Sequence, residues 1–257
     1  MKQPLTKLTR SALLCITALV PALSLAADAP PNSIEPMGQK FAEPKPEKTL
    51  RVLLVGSGSS HDFPKYFLGV DAVTLKTAGG VDVAATPNLD EALALLPQAD
   101  VLVFSGNHNQ YGTAGFQQAL NDFADNAKGI VLVHAATWSH PWKGYNQRFT
   151  AGATSGHGKG EVTVTLKNAV HPVMKGVPAI FKIFDENYYH KFIQDAQVDL
   201  LAENSPDGNK GVHPSVWVVK DPKTRIVCMT LGHAEEAHGN PSYKAILINA
   251  VNWAGKR

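Results

Sequence analysis

The sequence predicts an α/β fold in which a mostly parallel sheet is covered by helices on both faces and is followed by a second half rich in β-strands. Four short apolar runs in the first half are typical of buried parallel strands, which have both faces covered. Segments with helical patterning lie between them, and this alternation is characteristic of βαβ units. The predicted strands are Leu50–Val55, Val81–Ala85, Val101–Phe104 and Ile130–Val133.

Helices are predicted between successive strands, around Tyr66–Thr77, Leu89–Leu96 and Thr113–Asn126. A last helix is predicted from Pro241 to Ala254, because proline suits a first helical turn and apolar residues then recur at helical spacing. Trp253 falls on that apolar face, so we expect it to pack in the core.

The second half has the patterns of antiparallel strands. Residues Glu161–Leu166 alternate polar and apolar side chains, as a half-exposed strand does. Val216–Val219 and Arg225–Thr230 are separated by Lys220–Thr224, whose Asp-Pro pair favours a turn. A β-hairpin is therefore predicted there.

The N-terminal segment has the features of a cleaved secretory signal over residues 1–26. Three basic residues precede the apolar stretch Ser11–Leu23, which is too short to span a bilayer, and Ser24-Leu25-Ala26 is similar to a cleavage site. A retained membrane anchor is the alternative. Residues 27–48 are rich in proline and predict an extended leader, so the folded domain is expected over residues 49–257. A cleaved signal implies a periplasmic or secreted protein that has no membrane contact after cleavage.

Charge and cysteine content argue against nucleic-acid binding and against an internal disulfide. Loss of residues 1–26 removes three basic residues and no acidic ones, so the formal net charge falls from +2 to −1. The mature chain therefore has no excess of positive charge that would favour binding to nucleic acid. Only Cys228 remains, which excludes an internal disulfide, and its β-like surroundings predict a buried, unreactive thiol.

Histidines follow several of the predicted strands. His61, His108 and His134 each come after one of the parallel strands, and His233 follows the strand that contains Cys228. Ligand sites in open α/β sheets lie at the carboxyl ends of the strands, so these residues predict a site at one edge. The strongest candidates are His61, His134 and His233. His108, His157 and His171 are weaker candidates, and His140, His213 and His238 are expected in loops.

Two carboxylates are expected at the same edge. Asp185 and Glu186 follow the apolar run Phe181–Phe184, and we expect them to begin its exit loop. Imidazole and carboxylate groups suit a divalent metal such as Zn or Mn. They also suit metal-free acid–base catalysis, in which a carboxylate orients a histidine. The residues leave both chemistries open.

Aromatic side chains near these residues could stack on the apolar face of a sugar, although core filling is an equal alternative for each one. No nucleotide is expected, because Gly56-Ser-Gly-Ser-Ser departs from the dinucleotide fingerprint and no phosphate-binding loop motif occurs. No Gly-x-Ser-x-Gly motif indicates a serine hydrolase either. The predicted substrate-binding residues are His108, Trp138, Trp142, Tyr145, Asp185 and Tyr188.

An ordered set of short motifs resembles the ThuA-like family, which is associated with trehalose utilisation. The resemblance extends over roughly residues 50–254, and its most specific part is the C-terminal strand that ends in Gly232-His233. The matching pieces are His61-Asp62, Gly129 to Ala136, Trp142, Tyr145, Gly152, His171-Pro172, Asp185 to Tyr188, Pro214 to Trp217, Arg225 to His233 and Asn252 to Ala254.

The resemblance implies a flavodoxin-like three-layer fold related to class I glutamine amidotransferases. Those enzymes place a cysteine nucleophile after a central strand, whereas this chain has His134 followed by Ala135. Their catalytic histidine and glutamate resemble His233 and Glu235. Glutamine hydrolysis is therefore not expected, because a nucleophile is missing. The turn before the strand that begins at Arg225 is Asp221-Pro-Lys-Thr, whereas a glycine-rich turn is common there in the family.

Together, these observations predict an exported protein that acts on a disaccharide or a 3-keto-glycoside as a hydrolase, lyase or isomerase. A non-catalytic carbohydrate-binding protein and a module serving a partner enzyme are the alternatives. The sequence does not define an oligomeric state. The predicted metal ligands, for one Zn or Mn ion, are His61, His134, Glu186 and His233, and the predicted catalytic residues are His233, Glu235, His134 and Glu186.

Overall fold

A computed structural model of the chain describes residues 39–106, 109–206 and 211–257. Its strands are β1 (Leu50–Val55), β2 (Val81–Thr86), β3 (Val101–Phe104), β4 (Gly129–Val133), β5 (Gly152–Leu166), β6 (Ile180–Phe192), β7 (Val198–Pro206), β8 (His213–Val219) and β9 (Ile226–Met229). Its helices are α1 (Asp71–Ala78), α2 (Leu89–Leu95), α3 (Ala114–Asp125), α4 (Glu235–Gly239) and α5 (Pro241–Ala254). The strands form one nine-stranded sheet in the order β2-β1-β3-β4-β9-β8-β7-β5-β6.

The parallel half of the sheet comprises β2, β1, β3, β4 and β9. Alternate residues of each strand enter opposite cores, as the two-residue period of a strand requires. In β1, for example, Val52 and Leu54 pack in the core that includes residues of α1 and α5, whereas Leu53 and Val55 pack in the core that includes residues of α2 and α3. This arrangement confirms the predicted three-layer α/β fold.

The antiparallel half comprises β8, β7, β5 and β6, and β8 and β9 form the predicted hairpin. Strand β5 begins at Gly152, well before the predicted Glu161. The expected exit loop after Phe184 is wrong, because β6 continues to Phe192 and includes Asp185 and Glu186. These two residues pair with Gly160 and Lys159 of β5, so ladder hydrogen bonds support a strand where the apolar pattern ends.

Polar side chains define where several helices begin. Asn88 accepts hydrogen bonds from two backbone N–H groups at the start of α2, and Thr113 accepts one at the start of α3. Asn240 caps α5, whose first residue is Pro241. The predicted helix around Tyr66–Thr77 is present, but it begins with a single π-helical turn over Tyr66–Val70.

Residues 39–48 lie against the edge of the domain at β2. Gln39 bridges Ala85, and the backbone N–H of Ala42 donates to Asp82. The guanidinium of Arg51 donates to the carbonyl oxygen of Ala42. The last part of the proline-rich segment therefore covers an edge strand that would otherwise present unpaired backbone groups.

The predicted signal peptide lies outside the described residues. Among the described residues, no helix has both the length and the apolar character needed to cross a membrane.

Two residues expected in the interior are found there to different degrees. Cys228 is fully buried and burial raises the pKa of its thiol well above the usual value, which agrees with an unreactive cysteine. Trp253 is partly buried and packs against the core, and the guanidinium of Arg225 lies 5.0 Å from its ring centre.

Candidate metal centre

Four side chains from distant parts of the chain meet at the carboxyl edge of the sheet. His61 follows β1, His134 follows β4 and His233 follows β9, while Glu186 comes from within β6. Each offers one ligand atom, and these atoms all lie within 4.8 Å of one another. The structure thus brings together the four residues that we predicted as metal ligands, which are called the His3Glu cluster below.

His134 is the most constrained member of the His3Glu cluster. It is buried, and its φ of 43° lies in the left-handed region, which is uncommon for residues other than glycine. Its Nδ1 lies 2.6 Å from the carbonyl oxygen of Thr230. Because a carbonyl can only accept, Nδ1 donates in this bond, and Nε2 is the atom that faces the cluster. Nε2 of His134 lies 3.1 Å from Nε2 of His61.

Glu186 lies between the imidazoles. Its Oε2 is 3.1 Å from Nδ1 of His233, 3.4 Å from Nε2 of His134 and 3.8 Å from Nε2 of His61. Burial favours the neutral acid, but the three neighbouring imidazoles outweigh it and hold the pKa of the Glu186 carboxyl far below its usual range. Glu186 is therefore ionised at neutral pH, as a metal ligand must be.

His61 is in the neutral form that binds metals. Burial lowers its pKa from 6.5 to about 4, and the neighbouring His134 and His233 act in the same direction against the opposing effect of Glu186. Its Nδ1 lies 2.8 Å from the hydroxyl oxygen of Ser60, while its Nε2 faces the cluster.

Asp185 fixes the loop that carries His233. Its buried carboxylate accepts hydrogen bonds from the backbone N–H groups of Gly232, His233 and Glu186 at 2.8, 2.9 and 2.8 Å, respectively. Burial raises the pKa of Asp185 despite these bonds. Gly232 has a φ of 118°, and a Cβ there would lie 3.1 Å from the ring of Tyr243, so glycine is required at this point of the loop.

The donor set of the cluster fits a divalent metal. Buried Nδ1 of His233 has no hydrogen-bond partner, although it lies 3.1 Å from Oε2 of Glu186. In a tetrahedral zinc site with bonds of about 2.0–2.1 Å, neighbouring ligand atoms are about 3.3 Å apart. Four of the six separations, at 3.1, 3.1, 3.4 and 3.8 Å, lie around that value, and all six are within 4.8 Å. Three imidazoles and one carboxylate suit Zn, Mn, Fe or Ni.

Three further rings lie beside the cluster. Tyr188 stacks on His134 with ring centres 4.0 Å apart, and Trp138 meets Tyr188 edge-on at 5.2 Å. His157 of β5 is 44% exposed, and its Nδ1 lies 3.3 Å from Oε1 of Glu186. From the sequence, His157 was only a weaker candidate for the site. The feature that could have indicated it is its position between two glycines in an alternating segment.

Other predicted residues lie elsewhere. Trp142 and Tyr145 are buried in the core with α3, and Tyr145 donates to the carbonyl oxygen of Ala136, so the structure makes them core residues rather than rings exposed to a substrate. The side chain of Glu235 is 59% exposed and accepts from the Tyr66 hydroxyl, apart from the His3Glu cluster. His108 lies outside the described residues.

The expectation that His213 and His238 lie in loops is wrong, because His213 begins β8 and His238 lies in α4. His140 lies outside the helices and strands, as expected, but it is buried, as is His238. His140 packs among aromatic rings, and burial lowers its pKa to about 4. His238 belongs to α4, an element that the sequence did not predict, and pairs with buried Asp71.

The fold and this edge define an α/β protein with a cluster of three histidines and one glutamate at the carboxyl edge of its parallel strands. The family model described as "ThuA: Trehalose utilisation" matches residues 51–254, and the chain belongs to that family. Comparison with curated protein sequences finds no match.

Solved structures agree with this assignment. A protein described as ThuA-like from Parabacteroides merdae has a TM-score of 0.70 and 19% identity, covering 81% of this chain and 90% of its own. A second, from Bacteroides uniformis, has a TM-score of 0.67 and 19% identity, covering 84% and 95%. A protein described as a GMP synthase subunit from Thermoplasma acidophilum has a TM-score of 0.54 and 16% identity, covering 81% and 95%. These likenesses establish the fold.

Proposed function

We propose that this protein is an exported, metal-dependent enzyme that acts on a disaccharide or a 3-keto-glycoside. The observation that carries the proposal is the His3Glu cluster, whose four ligand atoms lie within 4.8 Å of one another. Family membership supports a sugar as the substrate. A bound divalent ion would polarise a substrate oxygen as a Lewis acid.

The substrate is expected on the side of the cluster where Trp138 and His157 lie. Trp138 is half-buried and His157 is exposed, whereas His134 and Tyr188 are buried behind them. A sugar ring could stack on Trp138 while its hydroxyl groups bond with His157. Tyr188 packs against His134 and so holds the imidazole in place rather than contacting the sugar.

His157 is the best-placed proton acceptor. With an Nδ1–H that faces Oε1 of Glu186, at 3.3 Å, its Nε2 is left with a lone pair. A keto group at C3 of a sugar acidifies the C2–H bond. His157 would take this proton, the electron pair would form a C1–C2 double bond, and the C1–O glycosidic bond would break. The departing alcohol oxygen would take a proton from water, which makes the reaction a β-elimination.

Metal content tests the binding part of the proposal. The mature protein is incubated with Zn²⁺ or Mn²⁺, desalted exhaustively and measured by plasma mass spectrometry, beside the His61→Ala/His233→Ala double variant. His213→Ala, which changes a histidine outside the His3Glu cluster, is the matched control. We expect a single ion per chain in the parent and the control, and loss of the ion from the folded double variant. Metal-free parent protein would refute the proposal.

Turnover of a 3-keto-disaccharide tests the catalytic part. His157→Ala is expected to lower kcat by about 10²–10⁴-fold while metal content is unchanged, because general-base catalysis contributes about that much. Lys159→Ala, on the same face of β5, is the control and should retain activity. Binding of an unmodified sugar with no product from the metal-loaded parent would instead support a carbohydrate-binding protein.

A further inference from the structure

We propose that the buried pair Asp71–His238 is a positioning device for His233, and so for the metal ligands. The pair lies outside the His3Glu cluster and outside the acid–base chemistry described above. The inference rests on the proposed metal-binding function, and it concerns how the chain holds one ligand in place.

The pair forms a continuous chain of hydrogen bonds to the loop after β9. Nδ1 of His238 lies 2.8 Å from Oδ1 of Asp71, and Nε2 of His238 lies 3.0 Å from the carbonyl oxygen of Gly232. The Tyr243 hydroxyl donates to Oδ2 of Asp71 at 2.8 Å. Asp71 and His238 are 0% and 2% exposed, so water does not compete for these bonds.

The partners define the protonation of His238. The carbonyl oxygen of Gly232 can only accept, and an ionised Asp71 can only accept, so both ring nitrogens of His238 donate. This makes His238 an imidazolium paired with a carboxylate. Burial acts against the charge, but Asp71 outweighs it and raises the pKa of His238 above its usual value, in agreement with the geometry.

The chain of bonds ends on the peptide group that joins Gly232 to His233. His238 holds the oxygen of this group, and Asp185 holds its N–H at 2.9 Å. Because a peptide group is planar, fixing both polar atoms fixes the plane and the starting direction of His233.

The pair thus acts on metal binding through another residue. Outer groups that orient metal-binding histidines typically change metal affinity by about 10–100-fold when they are removed. His238 touches the backbone beside His233 rather than the ring, so we expect an effect within that range from its loss. A residue with only a structural role would lower stability and leave the affinity of the folded protein unchanged.

Three variants separate these alternatives. His238→Ala removes the bond to Gly232. His238→Gln retains a side-chain N–H at about the reach of Nε2 and can restore that bond. Tyr243→Phe removes a hydrogen bond to the same Asp71 carboxylate but leaves the contact between His238 and Gly232, so it is the matched control for lost stability.

Co²⁺ titration at neutral pH, followed by visible absorption, measures both the Kd and the ligand geometry of each full-length mature protein. Urea denaturation in chelator measures stability separately. We expect His238→Ala to weaken Co²⁺ binding by about 10–100-fold and alter its absorption bands, with most of the affinity restored in His238→Gln. Tyr243→Phe should bind like the parent despite a lower unfolding midpoint.

Equal affinity of the parent and folded His238→Ala, or an equal loss in Tyr243→Phe, would overturn the inference while leaving the proposed metal site intact. Absence of Co²⁺ binding by the parent would overturn the proposed function, and this inference with it. If His238→Ala does not fold, the comparison of His238→Leu with Tyr243→Phe decides in the same way, because leucine fills much of the space of the imidazole but has no N–H to donate to Gly232.

Discussion

The left-handed backbone of His134 leads to a prediction that can be tested without knowing the substrate. At a φ of 43° a residue with a Cβ is strained, by about 1–2 kcal/mol, whereas glycine is not. We therefore compare His134→Ala with His134→Gly. Both variants lose the bond to Thr230 and the stacking on Tyr188. They differ only in the Cβ, so their difference in stability combines the strain with the entropy that glycine adds to the unfolded chain.

The expected magnitudes follow from these contacts. Loss of a buried hydrogen bond and an aromatic contact, each worth about 1 kcal/mol, together with the cavity left behind, should make His134→Ala about 2–4 kcal/mol less stable than the parent. Glycine relieves the strain of about 1–2 kcal/mol but increases the entropy of the unfolded chain by about 0.4–1 kcal/mol. His134→Gly should therefore be about 0–1.6 kcal/mol more stable than His134→Ala.

The assay is urea unfolding in excess chelator, so that bound metal does not contribute. Ala135→Gly is the control, since Ala135 is the next residue, is fully buried and has no positive φ. There the same exchange should destabilise the protein, because glycine adds its entropic cost and removes a buried methyl group with no strain to relieve. If His134→Gly were less stable than His134→Ala by as much as Ala135→Gly is less stable than the parent, the strain assigned to His134 would be wrong.

Three further predictions follow from buried groups. His140 and His190 have pKa values that burial lowers from 6.5 to about 4, so the unfolded chain takes up protons first and the free energy of unfolding falls as the pH drops from 6.5 to 4. Each histidine accounts for up to about 3 kcal/mol of this fall in the free energy of unfolding. The urea midpoint should therefore decrease less steeply with falling pH in His190→Gln than in the parent. Cys228 should resist a thiol reagent in the native protein and react in denaturant, whereas rapid native labelling would contradict its burial. Gly232→Ala should lower the unfolding midpoint and weaken Co²⁺ binding, because its Cβ would meet Tyr243 at a φ of 118°; unchanged values would show that the loop adapts.

The parallel half of the fold could be predicted from local patterns. Strand β1 is an apolar run whose residues are buried on both faces, so its two ends were predicted correctly as Leu50 and Val55. The rule that parallel strands end at one edge then predicted the meeting of His61, His134 and His233, which the structure contains.

The antiparallel half was less predictable because its strands depend on their partners. Strand β7 contains only a short apolar core, Leu200 to Ala202, and its remaining polar residues are strand only because β5 and β8 pair with them. Glu186 was expected in a loop for the same reason, although its expected position at the cleft was correct. The pairing of Asp71 with His238 joins two helices that are distant in sequence, and no local pattern reveals it.

The dispersed origin of the metal ligands has a consequence for synthesis and folding. The first ligand, His61, follows the first strand, and the last, His233, follows the final one. Contacts between such distant segments form only after the cost of closing the intervening chain has been met. A nascent chain therefore cannot complete the His3Glu cluster until its last strand has joined β4, so high-affinity metal uptake would report the completion of folding rather than an early step in it.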